Sequence, residues 1–293
     1  MNTLEDIKNH FNESLYLKLN PGVAKGVQTK AFVSGWEHYI QHGFRENRPG
    51  VSAEIQKQVQ KIQMNDFSDL LPPQHLRSRV HGTKDPLGFK NVGKLVTSNL
   101  YDTLKTTNFS LTAKSCVLDF GCGCGRIIIH LHKLLKNASF YGTDIDNEAI
   151  LWCQDKLSKI GEFSTNKELP PLIFEDAFFD FVYSTSVFTH LPEDMQFLWL
   201  EELKRITKPQ GYLFLTVQGK ELLLAKNVSL EKKEQLQETG FLYDVSLKTD
   251  AFPSFYQMTF HTEEYIYEQW SKFFKVEKII KHGGHQDLVI CRL

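Results

Sequence analysis

The stretch VLDFGCGCGR, residues 117–126, decides how the rest of the chain is read. A short apolar run holding one acid leads into three glycines that alternate with two cysteines. A glycine turn between a strand and a helix aims backbone N–H groups at a ligand. A cysteine metal site fits this spacing poorly. Structural zinc uses C-x₂₋₄-C pairs with a second pair elsewhere, and here one C-x-C stands without a matching knuckle. Cysteine is also small, as a tight turn requires, and no metal is expected. A nicotinamide turn is spaced G-x-G-x-x-G, whereas this one is G-x-G-x-G with Asp119 two residues before the first glycine. An acid at that point repels a pyrophosphate and suits an ammonium group. Asp144, at the end of the next strand, can take both hydroxyls of a ribose. The expected ligand is a ribose with an amino-acid-like tail and no phosphate.

Outward from this turn, strands and helices alternate. CVLDF reads as a buried strand, GRIIIHLHKLL as a helix and ASFYGTDI as a second strand. NEAILWCQDKLSKI is a helix that Asp146 or Asn147 is placed to cap. FDFVYST is a strand, PEDMQFLWLEELKRIT a helix with proline in its first turn, KPQG a turn and YLFLTVQG a strand. Alternation with short links predicts a parallel sheet in a three-layer domain. Residues 220–261 break the rhythm and read as an insert. TEEYIYEQWSKFF is a helix capped by Thr262, and KVEKIIKHGG and QDLVICRL read as final strands joined by a Gly-Gly turn. Upstream, Phe89, Val92, Leu95, Val96, Leu100 and Leu104 make a helical stripe. Residues 1–85 are expected to form an N-terminal helical cap and 86–293 the main domain.

Composition bounds the partners. Lys plus Arg is 34 against 35 Asp plus Glu, a net charge of −1. That balance carries no electrostatic footprint for nucleic acid or an anionic membrane. The five cysteines are odd in number and unevenly spaced, which fits free thiols in a reducing compartment. With no signal-peptide shape and no apolar run of membrane-span length, the expectation is a soluble, cytoplasmic protein.

Four segments in order and spacing now carry a resemblance. VLDFGCGCGR is similar to the first motif of the class I (Rossmann-like) methyltransferases that use S-adenosylmethionine, and YGTDID to their next acidic motif. FEDAFFDFVYSTSVFTHL resembles the segment around their fourth strand, and ITKPQGYLFLTV the turn into their fifth. The resemblance spans residues 79–293. HLRSRVHG, ELPPL, SVFTHL and QDLVI look like a bacterial branch linked with glycan or small-molecule modification. The fold it implies is α/β: a Rossmann-like mixed sheet of seven strands flanked by helices, the last strand antiparallel, with an insert after the fifth.

The resemblance also implies roles, residue by residue. Asp119 meets the ammonium of the methionine part, through water. Gly121, Cys122 and Gly123 offer backbone to the amino-acid tail. Asp144 holds the ribose and Ile145 packs on the adenine. Many relatives carry an acid before the fourth strand for the adenine amine; FSTNKEL places Asn166 there, whose amide can both accept and donate. Ser184 and Ser186 line the transfer pocket, or make strand-end hydrogen bonds. Arg126 neutralises the cofactor carboxylate, or forms a salt bridge on its helix. Arg79 and Phe89 are lid residues, or Phe89 is core of its helix stripe.

An acceptor hydroxyl calls for a general base, and histidine titrates in the right range. His190, after the fourth strand, and His261, where the insert returns, are the candidates. Each has a plain alternative, a cap or backbone contact for His190 and an exposed loop for His261. His282 and His285 are expected to be exposed. The aromatic run AFPSFYQMTF lines an acceptor pocket or forms the insert's own core. The function expected is methyl transfer from S-adenosylmethionine, leaving S-adenosylhomocysteine, to a small-molecule or glycan acceptor at a hydroxyl oxygen. The alternatives are a protein or other macromolecule as acceptor, and a cofactor-binding scaffold without turnover. The Asp/Asn-Pro-Pro-aromatic loop of amino-group DNA enzymes is replaced by STSVFTHL.

Overall fold

The computed structural model describes residues 4–29, 32–44, 46–65, 70–82, 84–109, 112, 114–225, 228–246, 253–282 and 285–293. These fall into two compact units, residues 1–93 and 94–293, divided within one long helix.

The described residues of the first unit are largely helical: α1 (Leu4–Lys8), α2 (Glu13–Leu19), α3 (Pro21–Gln28), α4 (Gly35–His38), α5 (Ala53–Asn65), α6 (Gln74–His81) and the start of α7 (Pro86–Lys105). Asn12 caps α2 and Ser34 caps α4, each accepting a backbone N–H three residues on. The apolar faces meet in a cluster of Ile7, Tyr16, Val23, Trp36, Tyr39, Ile55 and Val59. The stripe expected on α7 is partly shifted. Phe89, Leu100 and Leu104 are buried, whereas Leu95 is exposed and Thr97 is buried, its hydroxyl donating to Ile127 O at 3.3 Å.

The second unit holds β1 (Cys116–Phe120), α8 (Ile128–Leu134), β2 (Ser139–Asp144), α9 (Asn147–Lys156), β3 (Glu162–Thr165), β4 (Phe179–Ser184), α10 (Glu193–Ile206) and β5 (Thr207–Val217). The insert follows as α11 (Lys220–Ala225), α12 (Leu230–Thr239), β6 (Phe241–Asp244) and β7 (Met258–His261). The chain closes with α13 (Glu263–Gln269), β8 (Lys275–Ile280) and β9 (Asp287–Arg292). The main sheet has seven strands in the order β3-β2-β1-β4-β5-β9-β8. Neighbours from β3 to β5 are parallel, and β9 runs antiparallel to both β5 and β8. This is the expected mixed sheet. β1 and β4 are buried at almost every residue, as parallel strands covered on both faces are. Asp146 caps α9, accepting from Glu148 N and Ala149 N, and Thr262 caps α13.

Three readings change. β3 is four residues of alternating burial, too short and polar to announce itself. KPQG does not separate a helix from a strand. It is a bulge inside β5, where pairing with β4 jumps from Phe179↔Thr207 to Phe181↔Tyr212 and Gln210 takes a left-handed φ of 68°. The insert contains a second, two-stranded sheet of β6 and β7, antiparallel, over a small core of Leu223, Leu236, Leu242 and Phe260. Phe260 therefore serves the insert's own core, and Phe252 lies outside the described residues, as does the Gly-Gly turn at 283–284.

The main core packs Trp199, Leu200, Leu203 and Ile206 of α10 and Ile266 of α13 with Trp270 against β1, β4, β5 and β9. Trp270 is fully buried. Trp270→Ala is expected to destabilise this unit by about 3–5 kcal/mol, read as a fall in the midpoint of urea unfolding; a midpoint unchanged within error would refute the packing described.

Candidate active site

The strand order reverses between β1 and β4: β2 and β3 extend to one side and β5 to the other. Ligands of open α/β sheets bind beyond the carboxyl ends of the strands at such a point. The glycine turn stands there. Gly121, Gly123 and Gly125 have φ of 79°, 52° and 74°, the left-handed region that costs a side chain energy. Space forbids one too: a Cβ on Gly121 would lie 2.2 Å from Val187 Cγ2, and one on Gly125 2.4 Å from Leu157 Cδ1. The turn is pinned to the end of β2. Gly121 N and Cys122 N both donate to Thr143 O, at 2.8 and 3.0 Å.

Two acids frame it. Asp144, half-buried, accepts from Gly123 N at 2.7 Å through one oxygen and from Asp146 N at 2.8 Å through the other. Burial raises its pKa, against the pull of those N–H bonds. Asp119 is buried and accepts from Tyr183 OH at 2.9 Å. Burial pushes its carboxyl up to about 7; the Tyr183 bond and the nearby Arg126 oppose this, and the charge of Asp144 adds to it. Arg126 is not the first residue of α8, which begins at Ile128, but sits in the turn before it. Burial lowers its pKa, while the fields of Cys124 and Asp119 resist that.

Ile145 is 37% exposed directly after Asp144, an apolar side chain facing open space beside the acid. Asn166 N donates to Asp144 O, its amide oxygen accepts from Thr143 Oγ1 at 2.8 Å, and its amide nitrogen donates to Lys167 O. The side chain is thus held at the end of β2, beside Asp144. The cysteines pack. Cys122 and Cys124 are buried, and the Cys122 and Cys153 thiols both lie within 3.6 Å of Gly123 O. Burial raises the Cys122 and Cys124 pKa values, which keeps the thiols protonated. Among the described residues no group of three or more His, Cys, Asp or Glu is arranged to hold a metal ion.

At the end of β4, Ser184 is buried, and its hydroxyl has no hydrogen-bond partner among the described residues; the same holds for the hydroxyls of Thr185 and Thr189 in the loop that follows. Ser186 has a φ of 62°; its N–H donates to Thr216 Oγ1, and its hydroxyl accepts from Gln286 Nε2 at 2.7 Å. The two candidate bases differ sharply. His190 is half-buried, with Nδ1 2.7 Å from Gln257 O. A carbonyl only accepts, so Nδ1 carries a proton, and in the neutral ring the lone pair is on Nε2. The imidazole stacks on Tyr256 with ring centres 3.8 Å apart and planes at 14°. His261 is buried, and its Nε2 is 2.9 Å from Gln196 Oε1. Because Gln196 Nε2 donates to Phe188 O and Leu191 O, the amide is oriented and His261 Nε2 must be the donor. Burial lowers its pKa to about 3. The exposed-loop alternative for His261 is therefore excluded, and an imidazole of that basicity is a poor acceptor for a hydroxyl proton.

Arg79 lies on α6 and Phe89 on α7, in the first unit. Phe89 is fully buried, with its ring edge-on to His81, as the core reading requires. Two residues of the site escape sequence reasoning. Tyr183 meets Asp119 only through the β1–β4 register. Tyr256 comes from the insert; burial, with the charge of Asp144, raises its phenol to about 12.

The family described as a methyltransferase domain matches residues 118–215. The chain is 33% identical over 109 residues to a tRNA (carboxymethyluridine(34)-5-O)-methyltransferase of Arabidopsis thaliana, covering 37% of this chain and 25% of that protein. It is 32% identical over 110 residues to phthiotriol/phenolphthiotriol dimycocerosates methyltransferase 1 of Mycobacterium ulcerans (strain Agy99), covering 38% and 40%. The match thus spans less than half the length of either relative. A crystal structure of a Pyrococcus horikoshii OT3 protein superposes with a TM-score of 0.51 at 18% identity, covering 69% of this chain and 91% of that one, which shows the fold.

The buried acid generates a test. The folded protein holds a proton on Asp119 that the unfolded chain releases near pH 3.8. The stability this confers is fully present below that value and is lost as the pH rises through about 7. Asp119→Asn is expected to gain stability relative to the parent between pH 4 and 8, measured by urea unfolding across that range; a constant difference would refute the shift. Residues 118–215 match the family described as a methyltransferase domain, and they lie within a seven-stranded, Rossmann-like α/β sheet.

Proposed function

We propose that the chain transfers a methyl group from S-adenosylmethionine to a small-molecule or sugar acceptor at a hydroxyl oxygen, with His190 as the general base. The observation that carries this reading is the imidazole in the loop after β4, whose Nδ1–H donates to Gln257 O, which in the neutral ring leaves the lone pair on Nε2. Buried hydroxyls of Ser184, Thr185 and Thr189 at the same strand end support a polar acceptor, because unpartnered buried hydroxyls are uncommon except at ligand sites. The net charge of −1 supports a neutral small molecule over a nucleic acid, and the five free thiols support a cytoplasmic setting. On this reading the protein sits in the bacterial branch that its motifs resemble.

The residues fit the cofactor. The turn leaves no room for a Cβ at Gly121, and a carboxylate closes each side. Asp144 would hold the ribose hydroxyls, Ile145 one adenine face and Asn166 the adenine amine. Asp119 would face the ammonium, Arg126 the carboxylate, and the backbone of Gly121, Cys122 and Gly123 the tail, with Ser184 and Ser186 beside the transfer pocket. Arg79 keeps the lid role that the resemblance implies, while Phe89 serves the core of its own helix. When bound, S-adenosylmethionine supplies a methyl group already activated on a sulfonium. The chain then orients the acceptor oxygen in line, excludes water and takes the hydroxyl proton onto His190 Nε2. Orientation alone supplies roughly 7–11 kcal/mol of a barrier, and a base roughly 10²–10⁴-fold. His261, with its Nε2–H committed to Gln196, has a structural place instead.

S-adenosylhomocysteine is expected to bind the purified protein in calorimetry, and NADH not to. Asp144→Ala is expected to weaken that binding tenfold or more, since hydrogen bonds to a charged group contribute roughly 1.5–3 kcal/mol. Unchanged affinity would remove Asp144 from the site, and no binding to the parent would remove the cofactor reading itself.

A further inference from the structure

The loop at residues 188–191, between β4 and α10, has no regular structure of its own, so its carbonyls need partners from elsewhere. Each one has them. Phe188 O accepts from Gln196 Nε2 at 3.1 Å. Thr189 O accepts from Thr259 N at 2.9 Å and from Gln218 Nε2 at 3.1 Å. His190 O accepts from Gln257 N at 3.1 Å. Leu191 O accepts from Gln196 Nε2 at 3.0 Å and from Thr259 Oγ1 at 2.8 Å. Gln257 and Thr259 belong to the returning segment of the insert, which therefore supplies a large part of the loop's support.

That segment is itself held at both ends. Tyr256 N donates to Pro253 O, and the preceding carbonyl, Phe255 O, accepts from Tyr243 OH of β6 at 2.7 Å. At the far end His261 N donates to Gln218 O, and His261 Nε2 donates to Gln196 Oε1. Gln196 is thus oriented by a histidine of the insert while it clamps two carbonyls of the loop that carries His190.

The imidazole of His190 receives two constraints from the same segment: the Gln257 carbonyl on Nδ1 and the face of Tyr256. Imidazole in water prefers its proton on Nε2, and a carbonyl bonded at Nδ1 reverses that preference. The stack fixes the ring plane so that Nδ1 keeps pointing at the carbonyl.

We infer that the insert forms part of the catalytic centre, with Tyr256 and His261 as positioning residues that hold His190 as the Nδ1–H tautomer. Tyr256 acts directly on the ring, and His261 acts through Gln196 on the loop. The significance of the tautomer rests on the reading of His190 as a base; the tautomer itself does not.

The experiment is a two-bond ¹H–¹⁵N correlation on protein labelled with ¹⁵N-histidine, without cofactor or acceptor, with the His190 signal assigned by its loss in His190→Gln. His190 is expected as Nδ1–H in the parent and in Tyr256→Phe, which keeps the stack. Tyr256→Ala is expected to give a mixture with substantial Nε2–H, and His261→Leu a shift in the same direction, with His261→Gln, which restores a donor toward Gln196, recovering the parent signal. Nε2–H in the parent, or an unaltered tautomer in folded Tyr256→Ala, would overturn the inference. Should His261→Leu fail to fold, the Tyr256 pair still decides. Failure of S-adenosylhomocysteine to bind would sink the cofactor reading and leave this result standing.

Discussion

Thr143 O, at the end of β2, receives the N–H groups of Gly121 and Cys122, and the next residue, Asp144, accepts from Gly123 N. Three consecutive donors of the glycine turn are thereby bound to two consecutive residues of the neighbouring strand. This holds the turn open in left-handed conformations and fixes the distance between the two acids that frame it. The surrounding architecture serves that junction. The parallel pairing of β1 with β2 brings Thr143 opposite Phe120, and the reversal of strand order at β1 and β4 leaves a crevice above it. Val187, from beyond β4, closes the turn from the other side.

Burial sets the electrostatics of the junction. Two carboxylates stand close enough for the charge of Asp144 to raise the pKa of Asp119, and desolvation raises both. Without ligand, Asp119 is poised near neutrality, steadied by Tyr183 and by the field of Arg126. An incoming cation relieves that tension where an anion would increase it, which is the physical content of the choice between an ammonium-bearing ligand and a pyrophosphate.

Much of the fold was legible because its signals are local. Buried strands such as CVLDF, caps such as Asp146 and Thr262, and strand–helix alternation all depend on neighbours within a few residues. β3 was not, since four residues of alternating burial carry too little hydrophobic signal. The KPQG bulge was read as a turn because Pro and Gly mark both, and only pairing with Phe179 and Phe181 tells them apart. At the site, Asp119, Asp144 and the glycines were legible from spacing. Tyr183 and Tyr256 were not, because each reaches the site from a distant part of the chain. The burial of His261 against Gln196 was not legible either, because nothing in QMTFHTEEY tells of it.

By itself the sequence determined the glycine turn, the acids on either side of it and the alternation that builds a parallel sheet, since these follow from backbone sterics and charge over short spans. Tertiary structure decided how the two candidate histidines differ. His190 and His261 are chemically identical in the sequence. They differ because the return of the insert gives one a carbonyl at Nδ1 and an aromatic face, and buries the other with its Nε2–H on an oriented amide. Proton position and basicity come from desolvation and from partners across the fold, which no local pattern encodes.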